Sequence, residues 1–217
     1  MHKTIEPSIL YFGTPVVLLS TRNKDGSPNL APMSSAWWLG WNCMLGLGAQ
    51  GHSAQNLRRE RECVLNLPSA SMAPAVNHLA RLTGSDPVPP LKVARGYRYE
   101  HDKFGVAGLT PVASDLVLAA RVEQCPVQLE AVLETVHEFG HRPDKEPGAL
   151  AFEVRIVRAH VDETLLVAGK PNHIDPDHWR PLLMSFARFY GLGEQLHPSA
   201  LAEIPEEAYR PVPHMSR

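Results

Sequence analysis

The sequence predicts a mainly β fold, a β-barrel with short α-helices inserted between strands. Three observations carry this. Short apolar, β-branched runs recur between turn signals, as in TPVVLLST (14–21) before Asp25-Gly26. The run ALAFEVRIVRAHV (149–161) alternates, with Phe152, Val154 and Ile156 set against Glu153, Arg155 and Arg158. Helical spacing is confined to short segments. Short strands separated by turns favour closure, because an open sheet leaves unpaired edges.

Taken in order, TPVVLLST is a strand entering a hairpin, and NLAPMSSAWWLGWNCMLGLGAQ (29–50) sustains no helical stripe and reads as two more strands. Ser53 is a good N-cap for a helix over Ala54 to Glu62, and Val64, Leu65 and Leu67 make the next strand. Residues 71–82 place Met72, Val76, Leu79 and Ala80 at helical spacing, and the Gly- and Pro-rich segment 83–112 should be mostly loop. From Leu116 the chain is apolar and extended through 139 and, after a Pro-Gly break, to Val161. Asp175 as N-cap and Pro176 in the first turn predict a helix over 176–190, with Leu182, Leu183, Phe186, Phe189 and Tyr190 on one face. The expected organisation is a barrel domain over 1–170 and a helical arm with a Pro-rich tail over 171–217.

At 217 residues, with 44% apolar and 20% charged residues, the composition is that of an ordinary soluble domain. A net charge of -2 gives no electrostatic reason to expect nucleic acid or an anionic membrane. The opening MHKTIEPSILYFG is unlike a secretory signal, and no apolar run is long enough for a membrane span. Cys43, Cys63 and Cys125 are odd in number and form no C-x-x-C, the pattern of reduced thiols. The expected compartment is the cytoplasm.

The string HEFGH (137–141) matches H-E-x-x-H, in which two histidines on one helical turn hold zinc and the glutamate acts as base. Its context is wrong for that use. Gly140 precedes the second histidine, Pro143 disfavours helix just beyond it, and VQLEAVLETVHEFG carries four β-branched residues. In a strand, His137 and His141 would stand about 13 Å apart, too far to share an ion. No metal site is expected here, and a zinc hydrolase remains only a remote alternative. No G-x-S-x-G elbow supports a serine hydrolase.

The chemistry sits better between Asn29 and Asn56. NLAPMSSAWW sets two serines between a proline turn and a Trp pair, and AQGHSAQN follows at a helix start. Small hydroxyl residues on a strand let a flat ring lie against the backbone, and a helix N-terminus suits a phosphate. Taken alone, the same letters are better explained by plain packing and a plain N-cap.

The run TPVVLLSTRNKDGSPNLAPMSSAWW, with GHSAQNLRRERECVLNLP, resembles the flavin reductase-like family of FMN-binding split barrels. YEHDKFGVAGLTPVAS resembles that family's D-K-F and G-L-T segment, and CPVQLEAVL its following strand. The likeness covers residues 8 to 168, about three quarters of the chain. It implies a flavin ring against Met33, Ser34, Ser35 and Ala36, with Asn29 nearby. It further implies phosphate and ribityl contacts from Gln50, Gly51, His52, Ser53, Gln55 and Asn56, with Lys103 either a phosphate-side cation or a support behind those contacts, where a plain solvated loop lysine fits as well. His52 and Gln55 depart from the residues usual in relatives, which implies either weaker phosphate affinity or a His52 that binds best when protonated. The family's G-D-H near the last strand is approximated here only by His160.

The resemblance implies an FMN-dependent oxidoreductase of the flavin reductase type, taking hydride from NAD(P)H and passing electrons to flavin, oxygen or a partner such as an oxygenase. It also implies a homodimer, with Leu182, Phe186 and Phe189 at the contact or capping the barrel. A non-enzymatic FMN-binding electron carrier is the alternative. No catalytic acid or base is singled out, since hydride transfer needs none.

Overall fold

The computed structural model describes residues 1–140 and 148–209. Its strands begin with β1 (Phe12–Pro15), β2 (Val17–Arg22), β3 (Pro28–Met33), β4 (Ala36–Leu39) and β5 (Asn42–Gly48), followed by helix α1 (His52–Glu60) and strand β6 (Glu62–Leu67). Then come α2 (Ala73–Leu79), β7 (Leu82–Thr83), α3 (Pro90–Val93), β8 (Arg98–Tyr99), α4 (Lys103–Ala107), β9 (Pro111–Val112) and β10 (Arg121–Val122). Two long strands, β11 (Val127–Phe139) and β12 (Ala149–Val161), and a hairpin of β13 (Leu182–Ser185) and β14 (Arg188–Gly191) complete the set.

Seven strands form one antiparallel sheet in the order β3-β2-β6-β11-β12-β5-β4. Its edge strands, β3 and β4, are consecutive in the chain and joined by Ser34 and Ser35 alone. Two residues cannot span an open sheet of this width, so the sheet curls until its edges meet, and β3 and β4 remain unbonded to one another. The result is a barrel split at Ser34-Ser35.

The alternation in β2 explains the layers. Val17 and Leu19 point into the barrel with Leu45, Leu65, Leu133, Phe152 and Val154. Val16 and Leu18 point outward and are covered by α2, α4 and Leu182 of β13. Both faces are buried, which is why VVLLS reads as a continuous apolar run. Helix α1 ends at Arg61, whose left-handed backbone (φ 64°) lets its N–H bond the Leu57 carbonyl and frees its guanidinium for the Leu133 carbonyl at 2.7 Å. The three cysteines are free and buried, and burial pushes the Cys43 thiol up to about 12.

The segment expected as two strands over 29–50 contains three, and Gly51 rather than Ser53 caps α1. The expected helix over 176–190 is instead one turn at Asp175 followed by the β13–β14 hairpin. Asp175 does start a turn, accepting from the N–H groups of His178 and Trp179, but Pro181 disfavours helical backbone at Arg180 and the turn stops. β13 then pairs with β1, and Phe186 and Ala187 form the hairpin turn with φ of 47° and 62°. Leu182 is buried in the outer core, so it caps the barrel and is no contact for another chain, whereas Phe186 stays exposed with its ring edge against Phe12 at 4.9 Å.

His137 lies on β11 opposite Ala151, with Nε2 3.4 Å from Glu153. The helix that a zinc motif requires is therefore replaced by a strand. His141 lies outside the described residues.

Candidate functional site

Helix α1 begins directly after β5, through a tight turn in which the Gly51 N–H bonds the Gly48 carbonyl at 2.8 Å. A Cβ at Gly51 would sit 3.0 Å from that oxygen, so the turn favours glycine. No acidic residue occupies the first turn and no side chain caps it, which leaves the positive end of α1 available.

Beneath it runs a buried polar network. Asn29 on β3 donates through Nδ2 to Thr21 Oγ1 (2.9 Å) and Ser53 Oγ (3.1 Å), and its Oδ1 accepts from Lys103 Nζ at 2.7 Å. Asn56 donates to Thr21 Oγ1 and to Asn23 Oδ1, and accepts from Arg59 Nη2 at 3.0 Å. His52 Nε2 donates to Asn23 Oδ1 at 2.8 Å. Lys103 reaches this place because Asp102 caps α4, accepting from the Gly105 N–H at 2.9 Å, and starts the helix beside β3.

Two cavities flank this network. The outer one, about 560 Å³, is lined by residues including Asn23, Asp25, Gln55, Arg59, Tyr99 and His101. The inner one, about 260 Å³, is walled by Ala31, Gly48, Ser53, Thr83, Lys92 and Lys103 among others. His52 and Gly84 belong to both, so the imidazole is the partition between them. A Cβ on Gly84 would meet the His52 ring at 2.4 Å. Gly84→Ala should therefore cost about 1–3 kcal/mol of stability in urea unfolding. Adding His52→Ala should recover most of it, and an undiminished cost in the double variant would show that the ring is not what Gly84 packs on.

Electrostatics set the character of each compartment. Lys103 is only 2% exposed, and its one bonded acceptor is a neutral amide. Burial, and then the nearby Lys92 charge, lower its pKa to about 8, with Glu100 opposing. Burial likewise lowers His52 to about 4, reinforced by Lys103, Arg59, Lys92 and His101. In the ligand-free fold His52 is thus neutral at pH 7, with its proton on Nε2 toward Asn23. In the outer cavity, the hydroxyl and backbone N–H of Ser27, then His101, hold the Asp25 carboxyl well below the usual carboxylate range.

Of the residues expected from the sequence, Asn29, Gly51, His52, Ser53, Asn56 and Lys103 converge on the inner compartment or the network behind it. Gln50 and Gln55 face the outer cavity. Met33, Ser34, Ser35 and Ala36 line neither; they cross the split of the barrel, just beyond Ala31 and Pro32 of the inner wall. Ser35 is held there by its carbonyl, which accepts from the Gly46 N–H at 2.7 Å, while Ala36 points into the core. Among the described residues the hydroxyls of Ser34 and Ser35 have no hydrogen-bond partner.

Thr21, Asn23, Arg59, Thr83, Lys92 and His101 complete the site without having been expected there. The one signal for them was Asn23 in the hairpin before Asp25-Gly26. His160 lies elsewhere, on β12, with Nε2 2.6 Å from Glu130 Oε1.

This split barrel, with an anion-ready helix start beside a buried lysine, matches a known family. Residues 9–193 fit the model of the flavin reductase like domain, and the chain belongs to that family. It is 37% identical over 194 residues to the uncharacterized protein YdfE of Bacillus subtilis, covering 89% of this chain and 91% of that one. Among solved structures it resembles the flavoredoxin of Desulfovibrio vulgaris (TM-score 0.74, 21% identity, 94% of this chain and 100% of the other). It also resembles nitrilotriacetate monooxygenase component B from Bacillus cereus (TM-score 0.69, 23% identity, 88% and 89%). Among the described residues no helix is long and apolar enough to cross a membrane.

Proposed function

We propose that the protein is an FMN-binding oxidoreductase of the flavin reductase type, using NAD(P)H as reductant. The observation that carries this is the Lys103 ammonium: buried, bonded to one neutral oxygen, and facing a compartment at the start of α1. A buried cation without a counter-charge is costly unless an anion joins it. The donor set of Lys103, Ser53 and the first N–H groups of α1 fits a phosphate.

When bound, the flavin supplies the hydride-accepting chemistry. The chain supplies placement. Lys103, Ser53 and α1 hold the phosphate end, and Asn29 keeps Ser53 and Lys103 in register through its two bonds. Ser34, Ser35 and Ala36 offer small side chains, two hydroxyls unpartnered among the described residues, and backbone N–H groups for a ring lying in the split beside Met33.

A homodimer is supported by the edge strand β4, which among the described residues pairs only with β5 and leaves Trp37, Leu39 and the adjacent Trp41 exposed. The likeness to a component B of a two-component monooxygenase supports an oxygenase as electron acceptor. The likeness to a flavoredoxin supports the second reading, an electron carrier that NAD(P)H does not reduce quickly.

The test of the ring position is Ser35→Trp. Wild-type protein loaded with FMN and desalted should stay yellow, and the variant should emerge colourless while keeping its far-UV circular dichroism. A variant that retains a full complement of flavin would move the ring away from the split.

A further inference from the structure

The inner compartment draws its charge from two lysines, and the second comes from the segment that folds over it. Residues 84–99 are anchored at both ends, where β7 pairs with β8 in parallel and the Glu100 N–H bonds the Thr83 carbonyl at 2.9 Å. Between these anchors α3 carries Lys92 inward. Its Nζ donates to Thr83 Oγ1 at 3.1 Å and lies 5.5 Å from the centre of the Tyr97 ring.

None of the residues lining this compartment is acidic. Glu100 and Asp25 line the outer cavity, beyond the His52 partition. An ammonium has three donors, yet Lys92 and Lys103 each spend one on a neutral oxygen. Two cations sharing an acid-free pocket repel one another, and the Lys92 charge lowers the readiness of Lys103 to hold its proton unless a doubly charged anion lies between them.

Resting on the flavin reading above, we propose that Lys92 and Lys103 together bind a terminal phosphomonoester, and that this pair selects the flavin mononucleotide over riboflavin and over the flavin dinucleotide. A phosphomonoester carries up to two charges and three free oxygens, which matches two ammonium groups and a helix start. In a dinucleotide each phosphate carries one ester and one anhydride bond and holds one charge.

The experiment is equilibrium titration of flavin-free protein with FMN, riboflavin and FAD, comparing wild type, Lys92→Met and Lys92→Arg. Wild type should prefer FMN to riboflavin by about 100-fold and to FAD by at least about tenfold. Lys92→Met should lose about tenfold in FMN affinity and nothing for riboflavin, while Lys92→Arg keeps most of the preference. Riboflavin affinity falling in parallel with FMN, or FAD binding wild type as tightly as FMN, overturns the proposal while the flavin reading stands. If no flavin binds at all, that reading fails and inorganic phosphate decides this one. A thermal midpoint raised by phosphate in wild type but not in Lys92→Met supports the dianion pocket, and equal shifts overturn it.

Discussion

Replacing Lys103 by methionine should lower FMN affinity by about 100-fold or more and leave the flavin-free protein as stable as before, or more stable. The two effects have one cause. In the flavin-free fold the ammonium is 2% exposed, with Asn29 as its one bonded acceptor, so removing its charge relieves a desolvation penalty. With phosphate bound the same charge is paired in a pocket of low polarity, where its loss is expensive.

The pH dependence carries the same signature. Because the folded pKa is about 8 and the ordinary lysine value is 10.5, the unfolded chain binds more protons than the fold between those values. Stability of the flavin-free protein should therefore rise with pH across that window, and Lys103→Met should lack this rise. FMN affinity should move the other way, falling as pH passes about 8. Calorimetric titration and denaturant unfolding of both proteins measure this; an affinity independent of Lys103 would remove the phosphate from this pocket.

Glu130→Ala should cost about 3–5 kcal/mol of stability without altering FMN affinity in the folded protein. Glu130 is fully buried on β11. Its Oε1 accepts from the Asp115 N–H (2.9 Å) and His160 Nε2 (2.6 Å), and its Oε2 from the Leu116 N–H (2.6 Å). Burial pushes its pKa up, but these bonds outweigh burial and hold the carboxyl below its ordinary value. Its contribution is therefore present above the ordinary glutamate range and lost as pH falls through the lower folded pKa. Truncation strands two backbone donors of the 115–120 segment that covers β6 and β11. Urea unfolding measures the cost, and a loss near 0.5 kcal/mol would mean water replaces the carboxylate freely. This role also gives His160 a structural partner.

The barrel was legible where burial imposes a pattern on the chain. VVLLS is apolar throughout because β2 is covered on both faces, and AFEVRIV alternates because β12 has one face in the core. The tail misled because Leu182, Leu183, Phe186, Phe189 and Tyr190 fit a helical face, while the same residues also fit a hairpin in which Met184 faces Phe189. Pro181 and the strand β1 decide between the two, and β1 lies about 170 residues away, beyond the reach of local periodicity. HEFGH shows the converse: its chemical meaning needs a helix, and His137, Glu138 and Phe139 are in strand β11.

In the site, Asn29, Ser53, Asn56 and Lys103 were legible through family resemblance, since each sits in a matched motif. Thr21 and Asn23 were not, because their role depends on the β2–β3 hairpin turning under α1. Lys92 was not, because residues 83–112 have no periodicity and owe their place to the short parallel pair β7–β8.

Anaerobic mixing of the FMN-loaded protein with NADH and with NADPH, followed by the visible absorbance of the flavin, tests the central claim most directly. The account predicts bleaching by at least one nucleotide on the timescale of catalytic turnover, far faster than free FMN under the same conditions. A flavin that binds but keeps its colour with both nucleotides would contradict the reductase and leave the electron carrier.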